Sequence, residues 1–225
     1  MSLQSYANGN WNNEGASSRT VGLTLSLKPS PMLTISVGPQ WNRSATSAQY
    51  VRTVVDPTAV ATYGERDVFG WLDQTQFSMT TRVNAILTPR LSLQLYAQPL
   101  LAVGGYSGFK ELAQPRTYQF FMYGGTASTI NFEAPLQRYV VDPDAAGPAE
   151  PFSFSNPDFN FKSLQVNTVL RWELKPGSAL YAVWTRQQQD DAYPGNFSLR
   201  RDASALWSAR GDDVFLVKVA YWIGR

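Results

Sequence analysis

The sequence predicts an all-β protein, an antiparallel up-and-down transmembrane β-barrel with about eight strands, or that many strands of a larger barrel. Three observations carry this expectation. Apolar residues recur at every second position over long stretches, which is the strand period. Tight proline turns alternate with long loops along the chain. The positions between the apolar ones hold mostly Ser, Thr, Asn and Gln, where a face in bulk water would carry Lys and Glu.

Residues 3–13 are weakly strand-like. The first clear strand spans 19–28, with Val21, Leu23, Leu25 and Leu27 on one face. Pro29, Ser30 and Pro31 force a turn. Residues 32–43 resume with Leu33, Ile35, Val37 and Trp41, and a polar connection covers 44–66, with strand character around 50–55. Strand periodicity over 68–88 places Phe77, Met79, Val83, Ala85 and Leu87 opposite Ser78, Thr80, Arg82 and Asn84. After Pro89 and Arg90, Leu91, Leu93, Leu95, Ala97 and Leu101 oppose Ser92, Gln94, Tyr96 and Gln98. Residues 104–158 read as one long loop, unusual in a compact soluble domain. Alternation returns at Phe159 with Leu164, Val166, Leu170 and Trp172, turns at Pro176 and Gly177, and continues through Leu180, Ala182 and Trp184. A polar loop over 189–212 leads to Phe215, Val217, Val219, Tyr221 and Ile223, with Lys218 on the opposite face.

Composition narrows the function classes. Charged residues make up only 16 % of the 225 residues and aromatics reach 13 %, a balance suited to rings placed between apolar and wet surroundings. The absence of Cys and His excludes disulfide frameworks, thiolate sites, Ser-His-Asp hydrolysis and most zinc sites. No cofactor, metal or catalytic activity is expected, and an outer-membrane hydrolase is the weakest alternative. The formal net charge of +2, spread without a basic cluster, leaves no footprint for nucleic acid. No apolar run reaches the length of a membrane helix, and no secretory signal opens the chain.

In an up-and-down sheet, alternate connections lie at opposite ends. The three proline turns then share one end with both termini, and the long loops share the other, the asymmetry of outer-membrane barrels. A soluble β-barrel or sandwich binding module is the competing fold, and it would present a highly charged outer face. Trp41, Trp71, Trp172, Trp184 and Tyr221 are expected near strand ends, as interface girdles.

Two blocks, Leu91-Ser92-Leu93-Gln94-Leu95-Tyr96-Ala97-Gln98-Pro99 and Phe109-Lys110-Glu111-Leu112, carry a family resemblance. So do Asn160-Phe161-Lys162-Ser163-Leu164-Gln165-Val166-Asn167, Val169-Leu170-Arg171-Trp172-Glu173, Val183-Trp184-Thr185 and Phe215-Leu216-Val217-Lys218. Over about residues 67–225 the chain resembles the C-terminal barrel region of a family of uncharacterised bacterial outer-membrane proteins. These carry a family-nine-type carbohydrate-binding-like domain upstream. The resemblance implies the C-terminal part of a larger barrel, and supplies no catalytic residues.

Two groups of residues are candidate sites. Arg82, Arg171, Glu173 and Lys218 share the polar face as a charge cluster, either setting selectivity or filling a narrow barrel with salt bridges. Tyr106, Phe109, Tyr118, Phe120, Phe121 and Tyr123 in the long loop either stack on a ligand or plug the interior. The acidic pairs Asp142/Asp144, Asp190/Asp191 and Asp212/Asp213 lack calcium-loop spacing and read as turn chemistry. The expected function is passage or uptake of a small or carbohydrate-related solute across the bacterial outer membrane. The alternative is an anchoring barrel that displays an upstream binding domain. Expected partners are outer-membrane lipid and the barrel-assembly machinery. That machinery reads a C-terminal strand, usually one with a terminal aromatic; here Tyr221 and Trp222 stand a few residues back.

Overall fold

Alternation along the chain becomes one long antiparallel meander. The computed structural model describes residues 1–192 and 195–223. Its main sheet holds β1 (Ser2–Trp11), β2 (Ser17–Ser30), β3 (Leu33–Val55), β4 (Glu65–Thr88) and β5 (Leu91–Leu112). It continues through β10 (Phe159–Lys175), β11 (Ser178–Asp190) and β12 (Gly211–Ala220), while the short β6 (Phe120–Met122) pairs with the far end of β5. A second sheet of three strands, β7 (Thr129–Glu133), β8 (Arg138–Asp142) and β9 (Phe152–Ser155), lies within the longest connection. The helix α1 (Leu199–Ser208) precedes β12. Each strand of the main sheet pairs with its neighbour, but β1 and β12 do not pair with one another, so the sheet is open. Among the described residues no helix is long and apolar enough to cross a membrane.

Register sorts the side chains into two faces. Val217, Ala182, Leu170, Leu93, Ala85 and Leu33 stand in one row across six strands. The expected apolar positions therefore share a face. The opposite face carries the row Ser2, Ser26, Ser36, Arg82, Tyr96, Asn167, Thr185 and Val214. A one-residue slip would exchange the two sets. The apolar band on β5 runs from Leu91 to Leu101, and beside the band Arg19 pairs with Arg43, bringing charge onto the apolar face at its edge.

The short turns descend in steps. The Met32 carbonyl accepts from the Ile86 amide at 2.7 Å, yet β4 continues to Thr88 before turning at Pro89 and Arg90. Likewise the Arg90 carbonyl accepts from the Glu173 amide at 2.7 Å, and β10 continues to Lys175 before Pro176 and Gly177. Gly177 adopts a φ of 80°, which only glycine holds at low cost. Each turn thus lies about three residues beyond the last, two strands on. With about 3.3 Å per residue and 4.8 Å between strands, this stagger corresponds to an angle near 45°.

The structure corrects several expected boundaries. The 44–66 loop is mostly strand, because β3 and β4 stay paired out to Val55 and Glu65, and only residues 56–64 connect them. Trp41 consequently lies mid-strand. The weakly strand-like stretch 3–13 becomes β1 as far as Trp11, and its link to β2, residues 12–16, is short although it lies at the long-loop end; loop lengths therefore do not alternate strictly. β5 extends to Leu112 and the rest of 104–158 is folded, with β6 to β9 inside it. The 189–212 loop contains α1, and the last strand ends at Ala220, before Tyr221 and Ile223.

Candidate functional site

The polar face offers one candidate site in its middle and another feature at the end away from the short turns. In the middle, the Arg82 guanidinium lies over the Tyr96 ring at 5.4 Å. Two depressions of about 290 and 310 Å3 adjoin Arg82. The first is lined by Tyr6, Thr24, Ser36, Gln40 and Thr80, the second by Asn84, Gln94, Tyr96 and Asn167. Hydroxyls and carboxamides predominate in their linings, with Leu23, Pro39, Leu95 and Val169 beside them, because the strand alternation puts Ser, Thr, Asn and Gln on this face. Tyr6 donates to the Gln40 Oε1 at 3.1 Å, and Tyr96 to the Gln98 Oε1 at 2.7 Å. The Tyr6 ring covers Gly22, where a Cβ would collide with it.

The expected four-residue charge cluster divides. Arg171 bonds Glu173 at 3.2 Å, and Lys218 stands across β11 from them, with Tyr181 between Arg171 and Lys218 in register. Arg82 belongs to the Tyr96–Asn167 row instead. The split follows from register: Arg171 lies opposite Ser92, four positions along β5 from Tyr96.

At the far end, β4 carries Arg66, Val68, Gly70 and Leu72 on the line that continues to Ser78 and Arg82, and all four are buried. Here the polar face turns apolar and the β7–β9 sheet folds onto it. Val68, Phe109, Tyr123, Val141 and Phe154 form the core, with Tyr106, Phe121 and Tyr139 packed against it. Phe109 lies 4.5 Å from Tyr139 and 5.0 Å from Phe154, ring centre to ring centre. The six loop aromatics therefore part company. Tyr106, Phe109, Phe121 and Tyr123 build this cap, while Phe120 packs edge-on against Phe69 at 5.4 Å under Lys110, with Tyr118 beside it at 6.3 Å.

A buried ion cluster fastens the cap. Arg66 Nε reaches Asp56 Oδ2 and Arg66 Nη1 reaches Glu111 Oε1, both at 2.6 Å, and the Tyr123 hydroxyl donates to Glu111 Oε2 at 2.8 Å. One guanidinium thus ties together the β3–β4 loop, β5 and the long connection. Burial pushes the Asp56 carboxyl up, but bonds from Thr58 and Arg66 outweigh it and hold the carboxyl below its ordinary value. Burial and the Glu111 carboxylate push the Tyr123 hydroxyl up. Among the described residues no group of three or more acidic side chains is placed to hold a metal ion.

A second network lies on the apolar face, at the edge of its band. Lys162 is fully buried and bonds Asp190 at 2.6 Å and the Ala192 carbonyl at 2.7 Å. Buried Asp202 of α1 accepts from Asn160 at 3.2 Å and from the Ser198 amide at 2.8 Å, so it caps its own helix. Leu206 then packs on Leu101 and Leu164. Neither ion pairing was expected from the sequence, although Asp190 and Tyr123 were singled out there in other roles. Their partners lie 45 residues apart (Arg66 and Glu111) and 28 apart (Lys162 and Asp190). The available signal was a charge in line with apolar residues, Arg66 with Val68 and Lys162 with Leu164.

A model of the DUF5916 family, described as a domain of unknown function, matches residues 2–224. The chain belongs to this family. The DUF5916 match covers the sheet, the cap and both ion networks, and its description names no ligand and no carbohydrate-binding partner domain. No curated protein and no solved structure matches the chain significantly.

Proposed function

We propose that the main sheet is the wall, or an arc of the wall, of a bacterial outer-membrane β-barrel that serves passage or uptake of a small or carbohydrate-related solute. The observation that carries this is the bare apolar face. Phe215 is 75 % exposed and Val217 68 %, and Val21, Leu23, Trp172 and Val219 are exposed as well. An apolar surface of that extent in water would drive association; against lipid it is satisfied. The apolar band on β5 left uncovered by α1 runs from Leu91 to Pro99, nine positions, and a tilted membrane strand needs about 9–11. Turns that share one membrane surface would set the strands near 45° to the normal, at the steep end of the roughly 35–45° of membrane barrels. Exposed edges at β1 and β12 favour the arc, with further strands closing the wall. The resemblance to proteins with an upstream carbohydrate-binding-like domain favours a saccharide, and barrel-assembly machinery is the expected folding partner.

Single-channel recording in planar bilayers tests the passage. Discrete, solute-sensitive conductance is expected from full-length protein, and a protein that never conducts or takes up solute removes the transport reading. A chain that stays monomeric in water without detergent removes the membrane reading altogether. The cap supports a second reading, an anchoring barrel closed at its outer mouth, for which a permanently silent but heat-modifiable protein is expected.

A further inference from the structure

The polar face is biased toward cations. Between the short turns and the cap it carries Lys28, Arg82, Arg171 and Lys218 against Glu173 and Asp212, while Arg66 and Glu111 on the same face at the cap pair with each other. Arg171 is matched by Glu173. Arg82 meets no carboxylate among the described residues; its guanidinium carbon lies 5.4 Å from the centre of the Tyr96 ring, within cation–π range, and its N–H groups enter no ion pair there. It also stands where the two depressions meet, midway along the apolar band of β4.

We infer that the groove centred on Arg82 binds an acidic saccharide, a chain of hydroxylated rings bearing carboxylates. A guanidinium offers paired donors to a carboxylate, the strongest and most directional recognition available to a side chain. The flanking groups suit the rest of such a ligand. Gln40, Asn84, Gln94 and Asn167 each both donate and accept, as do the hydroxyls of Ser36 and Thr80, matching ring hydroxyls that do the same. Tyr6 and Tyr96 add ring faces for the apolar C–H surfaces of a sugar. The depressions, about 290 and 310 Å3, each sit at the lower end of the ~300–1,000 Å3 of small-molecule sites. Placed on either side of one cation, they fit consecutive rings with the acid between them. A neutral polyol would leave Arg82 unused, and a compact inorganic anion would leave both linings unused.

This inference rests on the polar face being an accessible interior, and direct binding separates the two. Full-length protein in detergent micelles is titrated calorimetrically with a galacturonate trisaccharide and with maltotriose as the neutral counterpart. The acidic trisaccharide is expected to bind more tightly and to weaken as salt rises. Arg82→Gln should weaken it roughly tenfold or more, as loss of a charge-assisted pair does, and leave the neutral sugar unchanged. Arg82→Lys should recover part of the loss, since an ammonium keeps the charge without the fork. Arg82 is exposed, and heat-modifiable migration of both variants checks that they fold. Equal binding of the two sugars, binding indifferent to Arg82, or no binding of the acidic sugar overturns the inference. Binding without conductance keeps the site and removes the passage; conductance without binding does the reverse.

Discussion

The two ends of the strands bury side chains by opposite rules. At the cap, Val68 and Val141 are 0 % exposed within a core made wholly of protein. In the band between the short turns and the cap, Phe215 and Val217 have the same chemistry and stand bare. The strands are continuous through both regions: β4 contributes Val68 to the cap core and Val83 to the apolar band. What changes is where the partner surface comes from. At the cap the chain supplies it, by folding β7–β9 back onto the sheet; along the exposed part of the band the described residues supply none. Substitutions in the two regions should therefore respond to different surroundings.

The largest expected effect lies at the cap. Arg66→Met leaves Asp56 and Glu111 buried without their cation, a loss of about 3–5 kcal/mol by the record of broken buried ion pairs. Limited proteolysis should then cut within residues 113–158 while the β2–β5 strands stay protected. Equal loss of protection in both regions would join what the comparison separates. Phe154→Ala should act similarly through a cavity, costing about 3–5 kcal/mol, and should leave the Arg66 cluster intact.

Smaller effects are expected on the band, and they depend on the medium. Val217→Lys should cost about 2–4 kcal/mol in a bilayer if the residue faces lipid near its middle, less towards the interface. In a water-exposed strand the same change would fall within about 0.5 kcal/mol. Unfolding in lipid vesicles, with Lys218→Gln on the opposite face as the control, separates the two environments. A Val217→Lys variant as stable as the control would place the apolar face in water.

The band was readable in the sequence, whereas of the cap only the loop aromatics were, and not the strands or the ion cluster, for a physical reason. Leu91 to Leu101 and Phe215 to Val219 alternate because one face is apolar and the other polar along the whole stretch, so period 2 persists and register follows. At the cap, both the sheet and the folded-back strands supply apolar residues. Tyr106, Phe109 and Tyr123 come from a β-bulge at Gly108 and from turns, where the period is lost. The Arg66 cluster depends on pairings across 45 residues, which no local pattern records. Arg82, Arg171, Glu173 and Lys218 were legible as residents of one face, but only register assigned Arg82 to a different row.

The most selective contrast is in pH. Tyr123 keeps its proton more tightly in the cap than in an unfolded chain, because burial and Glu111 oppose its ionisation. The folded cap then binds more protons than the open one as pH rises past about 10, so its stability falls in that direction. Asp56 runs the other way. Its folded carboxyl lies below its ordinary value, so its contribution is full above about 4 and is lost as pH falls through the depressed value. Amide exchange of β7–β9, taken relative to the intrinsic rate at each pH, should thus be slowest at intermediate pH and quicken on both sides. Tyr123→Phe gives up the bond to Glu111 and should speed exchange at neutral pH while flattening the alkaline rise. Exchange in the apolar band holds neither group and should show neither limb. An alkaline limb that survives in Tyr123→Phe would assign it to another group and detach the Glu111 bond from the fastening of the cap.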